Sequence, residues 1–186
     1  MEKEELIYDG YVKIYDVTKN NNGKIEKFTK VQCSTYVNFD NESILNVFNE
    51  EGKMALVTQY RPIIGVKTLE VPAGTLDKGI SPKEIIIEEL DEECGISKEN
   101  IIDISDEPVL SYKIIENMSD GEMHIFLIHV KTMDTLPHEE DDVEEVKFYT
   151  LDEIEYLIKK RVVTDPKTLI SFFLYKDMIK WIIEKN

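Results

Sequence analysis

Apolar and polar residues alternate from Leu6 to Val17, a turn follows at Asn20-Asn21-Asn22-Gly23, and extended-style sequence resumes from Lys24 to Cys33. Period-two alternation broken by an Asn/Gly turn predicts a β-hairpin. A second strand pair is predicted at Ser43 to Phe48 and Lys53 to Tyr60, joined by Asn49-Glu50-Glu51-Gly52, with Ile44, Val47, Leu56 and Val57 directed to a core. Pro62 closes that run, and Thr68 to Val71 reads as a short strand leading into Pro72-Ala73-Gly74. Further strands are predicted over Ile101 to Ser111, Glu122 to Val130 and Glu144 to Tyr149, with a polar stretch at Ile115 to Gly121 and an acidic loop at Leu136 to Asp142. Helical spacing takes over at Leu151, Ile154, Leu157 and Ile158, and again after Asp165-Pro166, where Leu169, Phe172, Phe173, Tyr175, Met178, Ile179, Trp181 and Ile182 follow a capping signal. Strands with a few helices give an α+β domain.

The helix with the most chemistry lies between residues 81 and 95. Ser81 is placed as N-cap, Pro82 at the first helical position, and Glu84 closes a capping box. Gly95 is placed to end the helix in the left-handed conformation. Ile86, Ile87, Leu90 and Cys94 form an apolar face, whereas Glu89, Glu92 and Glu93 share another at spacings i, i+3 and i+4. Crowded carboxylates repel, and a hard divalent cation such as Mg²⁺ takes such oxygen ligands. The plainer alternative is a solvated acidic helix.

Composition narrows the function further. The chain has 186 residues, 42% of them hydrophobic, and a formal charge of −16, which fits one folded domain and argues against a disordered chain. With no basic cluster, a nucleic-acid polymer is an unsuitable partner, and a small phosphorylated substrate needs metal ions and a few local cations to be held. Cys33 and Cys94 make no metal-binding pattern and read as reduced core residues of a cytoplasmic protein. The acidic start lacks the apolar stretch of a signal peptide, and no apolar run reaches membrane-spanning length.

The stretch from Gly74 to Ile96 resembles the Nudix box: Gly74, Glu89, Leu90, Glu92, Glu93, Gly95 and Ile96 fall at the family's positions. Ile80 stands where that pattern has Glu, and Glu88 where it has Arg. Gln59-Tyr60-Arg61-Pro62, Leu69-Glu70-Val71-Pro72-Ala73-Gly74, Ser119-Asp120 before His124-Ile125-Phe126, and the acidic run Glu139 to Asp142 are similar to the ADP-ribose and nucleoside-diphosphate-sugar pyrophosphatase branch. Asp165-Pro166-Lys167-Thr168-Leu169 resembles UDP-sugar members.

The resemblance implies a Nudix α/β/α sandwich with a mixed central sheet over residues 39–186. It implies an N-terminal antiparallel β-hairpin, residues 1–38, that packs on the partner of a homodimer. It also implies Mg²⁺, with Mn²⁺ as the substitute, held by Glu89, Glu93 and the Ala73 carbonyl, with Glu92 sharing the cluster as a catalytic residue. Glu140 is the candidate general base, with Glu139, Asp141 and Asp142 as rivals. Arg61 would grip a diphosphate, because a guanidinium donates bidentate hydrogen bonds. Glu70 would touch nucleoside or sugar hydroxyls, or serve the strand edge. His124, on an apolar strand, reads as a core or supporting histidine rather than a ligand. The implied reaction is metal-dependent hydrolysis of a nucleoside diphosphate sugar to a nucleoside monophosphate and a sugar phosphate. The alternatives are another nucleoside diphosphate derivative, such as a dinucleotide, or a weakly catalytic nucleotide sensor.

Overall fold

The computed structural model describes residues 2–10, 12–33, 41–75, 81–114, 118–119, 121–133 and 143–185. Among the described residues, eleven strands form a three-stranded antiparallel sheet and an eight-stranded mixed sheet, accompanied by three α-helices. The first sheet is β1 (Glu2–Asp9), β2 (Val12–Asn21) and β3 (Lys24–Cys33) in sequential order.

The expected β2–β3 hairpin forms, with Asn22 and Gly23 both at positive φ in its turn. The run from Leu6 to Val17, however, is two strands rather than one. Asp9-Gly10 reverses the chain, so that Asp9 pairs with Lys13 and the hairpin becomes a three-stranded sheet. Asp-Gly is itself a turn signal, and the uninterrupted alternation on either side of it concealed the reversal.

The second sheet has the order β11-β5-β4-β10-β8. Its strands are β4 (Asn41–Asn49), β5 (Met54–Arg61), β8 (Ile101–Ile104), β10 (Glu122–Val130) and β11 (Val143–Tyr149). Three short strands join it: β6 (Val66–Glu70) on β5, β7 (Ala73–Thr75) on β4, and β9 (Leu110–Lys113) on β10. β10 runs parallel to β4 and antiparallel to β8 and β9, which makes the sheet mixed. The predicted strand from Ile101 to Ser111 is therefore also two strands. Ser105-Asp106-Glu107-Pro108 interrupts it, and Pro108 has no N–H to give to a ladder.

Alternation along the central strands builds two cores. Leu45, Val47, Ala55, Val57, Phe126, Ile128 and Val130 pack with Ile86, Leu90 and Cys94 of α1 (Pro82–Cys94). Ile44, Met54, Leu56, Met123 and Ile125 point the other way, against Ile154 of α2 (Leu151–Lys159) and Phe172 and Tyr175 of α3 (Pro166–Lys185). The result is the expected α/β/α sandwich, because neighbouring residues of one strand face opposite sides. The N-terminal sheet touches this sandwich where the Val31 N–H donates to the Met118 carbonyl at 2.8 Å.

Candidate active site

α1 forms as its sequence dictates. The Ser81 side chain accepts from the Glu84 N–H, the Glu84 carboxylate accepts from the Ser81 N–H, and Gly95 closes the helix at φ 62°. The buried face is wider than the spacing of Ile86, Leu90 and Cys94 suggested. Ile85 is buried, Ile87 only half-buried, and Glu93 is buried at 6% exposure. Burial raises the Cys94 thiol pKa well above its usual value, helped by the Glu93 and Glu89 charges, so Cys94 is an inert core thiol.

Glu89 and Glu93 lie one turn apart and both meet β7. The Ala73 N–H donates to Glu93 Oε2 at 3.1 Å. The Glu89 side chain lies directly on Gly74, so closely that a Cβ there would sit 2.3 Å from Glu89 Cδ. Gly74 is thus required for close approach, and β7 is fixed beneath the carboxylates by β4, with Ser43 Oγ donating to the Gly74 carbonyl at 3.1 Å. Glu92 is exposed on the same helix, and so is Glu88. Glu140 and its rivals Glu139, Asp141 and Asp142 lie outside the described residues, as do Ile80 and the side chain of Trp181.

This donor set fits a hard cation in kind: two carboxylates, one of them buried, beside a backbone strand. Among the described residues no three acidic, His or Cys side chains form a ready-made metal cluster. Backbone oxygen, water or substrate would therefore complete the coordination, as Mg²⁺ commonly requires.

A second cluster adjoins the first. Arg61 Nε and Nη2 donate to Glu70 Oε1 and Oε2 at 3.0 and 2.6 Å, a bidentate pair linking β5 to β6. Thr68 Oγ1 donates to Glu70 Oε1 at 2.6 Å, and Lys167 Nζ stands 3.5 Å from Glu70 Oε2. Burial pushes the Glu70 pKa up, but the hydrogen bonds from Arg61 and Thr68 and the charge of Lys167 outweigh it, and the pKa falls to about 2. The Arg61 pKa is raised, first by the hydrogen bond to Glu70; Asp165 and Glu93 add their charges, which places the two clusters within electrostatic reach. Arg61 and Glu70, chosen separately from sequence, are one ion pair.

Sequence reasoning assigned no site role to Thr68, Lys167 or Thr168, although the last two belong to the Asp165-to-Leu169 stretch. The Thr168 hydroxyl donates to Asp165 Oδ2 at 2.8 Å and accepts from the Val71 N–H at 2.9 Å, fastening the start of α3 to the strand that carries Glu70. The Asp165-Pro166 cap was legible, but nothing local indicated that this helix end reaches β6. Half-buried His124 has Nδ1 2.7 Å from Ser111 Oγ on β9, consistent with a supporting role.

A model of the NUDIX domain matches residues 40–172. The chain belongs to the Nudix family. It is 30% identical over 123 residues to the methanol dehydrogenase activator of Bacillus methanolicus, covering 65% of this chain and 64% of that protein. It is equally 30% identical over 121 residues to the ADP-ribose pyrophosphatase of Bacillus subtilis (strain 168), covering 64% of this chain and 63% of that protein. The chain thus spans just under two thirds of these curated relatives. Among the described residues, no helix of this Nudix protein is long and apolar enough to cross a membrane.

Proposed function

We propose that this Nudix protein is a divalent-metal-dependent hydrolase that splits the diphosphate of a nucleoside diphosphate sugar, ADP-ribose or a UDP- or ADP-linked sugar. The products are a nucleoside monophosphate and a sugar phosphate. The observation that carries this reading is the pairing of Glu89 and Glu93 over Ala73–Gly74, within electrostatic reach of Arg61. Carboxylates alone would repel a diphosphate, and a guanidinium alone would bind it without activating it.

In this reading Glu89, Glu93 and the Ala73 carbonyl hold Mg²⁺, or Mn²⁺ in its place, and Glu92 adds its charge from the exposed side of α1. The metal, when bound, neutralises phosphate charge and lowers the pKa of the attacking water. Arg61 orients the diphosphate, Glu70 lines the same site, and Glu140 takes the proton from the nucleophile. The second reading is a hydrolase of another nucleoside diphosphate derivative, such as a dinucleotide. Assaying a panel of nucleoside diphosphate sugars and dinucleotides with and without Mg²⁺, with phosphatase-coupled phosphate release, tests both. Metal-independent turnover, or no turnover on any member, overturns the assignment.

The protein further reads as a cytoplasmic homodimer whose N-terminal sheet packs on the partner. Leu6, Ile7, Tyr8, Ile25 and Phe28, all exposed on β1 and β3, support an apolar interface there. Deleting residues 1–35 should then leave an unstable or aggregating monomer. Light scattering that finds the full chain monomeric rejects the shared interface.

A further inference from the structure

Glu70 is surrounded by more positive charge than a structural ion pair needs. Its side chain is 5% exposed, and its two oxygens receive Arg61, Thr68 and the Lys167 ammonium. One carboxylate thus carries two cations, and its acceptor capacity is taken up largely by protein donors. The Lys167 side chain is itself only 16% exposed, and it meets Glu70 at Oε2, the oxygen that also accepts from Arg61 Nη2.

Helix stability does not account for Lys167. It lies in the first turn of α3, which contains no acidic residue, and a cation there opposes the helix dipole. Asp165 Oδ2 accepts from the N–H and hydroxyl of Thr168 at 2.8 Å each, and its charge, like that of Glu93, also reaches Arg61. Glu93 is engaged with Ala73. Lys167 meets one oxygen of Glu70 at 3.5 Å, so an ammonium with three donors keeps capacity for an anion entering the site.

The neighbourhood is rigid enough to use that charge. Thr168 ties α3 to Val71, one residue past Glu70, and Ala73 lies two residues beyond Val71 beside Glu93. On Arg61, Glu70 engages Nε and Nη2, and the Nη1 edge takes no part in the pair.

We propose that Glu70 is a positioning residue that presents Arg61 and Lys167 together as a two-cation cradle, in which Lys167 contacts the diphosphate of the substrate directly. This rests on the diphosphate-hydrolase reading and deepens it: affinity for the diphosphate, independent of base and sugar, comes from a residue at the start of the last helix.

The experiment compares the full-length wild type with Lys167→Ala, Lys167→Arg, Glu70→Gln and the Glu70→Gln/Lys167→Ala pair. The readouts are kcat and KM on the best substrate of the panel, and the Kd of methylenediphosphonate, a non-hydrolysable diphosphate lacking base and sugar, by phosphorus NMR. Lys167→Ala should raise both KM and Kd by about tenfold while kcat changes by about twofold or less, and Lys167→Arg should recover most of the loss. Glu70→Gln should raise both constants as well, and the double variant should be no worse than the poorer single, since both act on one cradle. If wild type binds and hydrolyses but Lys167→Ala leaves KM and Kd unchanged, this inference fails and the hydrolase reading stands. If wild type neither hydrolyses the panel nor binds methylenediphosphonate, both fail. Lower thermal stability of Lys167→Ala with an unaltered Kd would mark Lys167 as purely structural and likewise overturn the proposal.

Discussion

The two halves of the candidate site solve opposite electrostatic problems. On α1, Glu89, Glu92 and Glu93 crowd negative charge onto one helix with no cation in its last turn. At the junction of β5, β6 and α3, Arg61, Glu70 and Lys167 place two cations around one buried carboxylate. In the proposed function the first half takes a cation and the second an anion, and a metal-bound diphosphate would supply both at once.

The largest effect should come from breaking the acidic half. Glu93→Gln keeps a side-chain oxygen to accept from the Ala73 N–H, so the fold should survive. Removing the charge should raise the barrier by roughly 3 kcal/mol, about a hundredfold in turnover. Turnover near the wild-type rate under saturating Mg²⁺, with unchanged unfolding, would separate α1 from the chemistry.

The halves were unequally legible in the sequence. Cap, carboxylates and left-handed Gly95 all lie within fifteen residues of Ser81, where helical periodicity fixes geometry directly. Arg61, Glu70 and Lys167 meet only through strand pairing and the docking of α3 across 97 residues, from Val71 to Thr168. No local spacing encodes that approach, so Arg61 and Glu70 were visible as residue types and motif members but not as partners. The fold shows the same division. The two cores follow from alternation along β4, β5 and β10, whereas the reversals at Asp9-Gly10 and around Pro108 sit inside apolar runs whose periodicity read straight through them.

The second half should reveal itself through pH. The folded pKa of Glu70, about 2, lies below its ordinary value of 4.5, so the pair contributes stability above pH 4.5 that is lost as pH falls toward 2. For this buried carboxylate the full difference corresponds to roughly 3 kcal/mol. Glu70→Gln should therefore be clearly less stable than wild type at pH 7, and the gap should close on acidification through this window. Urea denaturation across a pH series checks it; a gap independent of pH would mean that packing, not charge, holds Glu70. Other depressed carboxylates such as Glu84 and Glu153 titrate in both proteins, so the difference isolates Glu70.

Gly74→Ala sharpens the contrast on the acidic side. The new methyl would meet Glu89 Cδ at 2.3 Å, Cγ at 2.4 Å and Oε2 at 2.6 Å, all side-chain rather than backbone atoms. Glu89 can swing aside, so stability should change little, while metal affinity falls by about 10–100-fold, the usual cost of disturbing a ligand's support. Calorimetric titration with Mn²⁺ reads the affinity and thermal unfolding reads the stability. A large loss of stability without a change in affinity would show Glu89 to be a packing residue.

The smallest effect concerns the tie that keeps the second half assembled. Thr168 is fully buried, and its hydroxyl links the Val71 N–H to Asp165. Thr168→Val keeps the shape but leaves the Val71 N–H buried without its acceptor, a cost of about 1–3 kcal/mol. Asp165→Ala removes the helix cap instead, typically ~1 kcal/mol, while the Thr168 hydroxyl can still accept from Val71. Thr168→Val should therefore destabilise more than Asp165→Ala by denaturant unfolding. It should also loosen the approach of Lys167 to Glu70, and so raise KM where Asp165→Ala leaves it nearer the wild-type value. Equal KM values in the two variants would mean that the start of α3 holds Lys167 in place without the Val71 tie, and that the cation half is fixed by Glu70 alone.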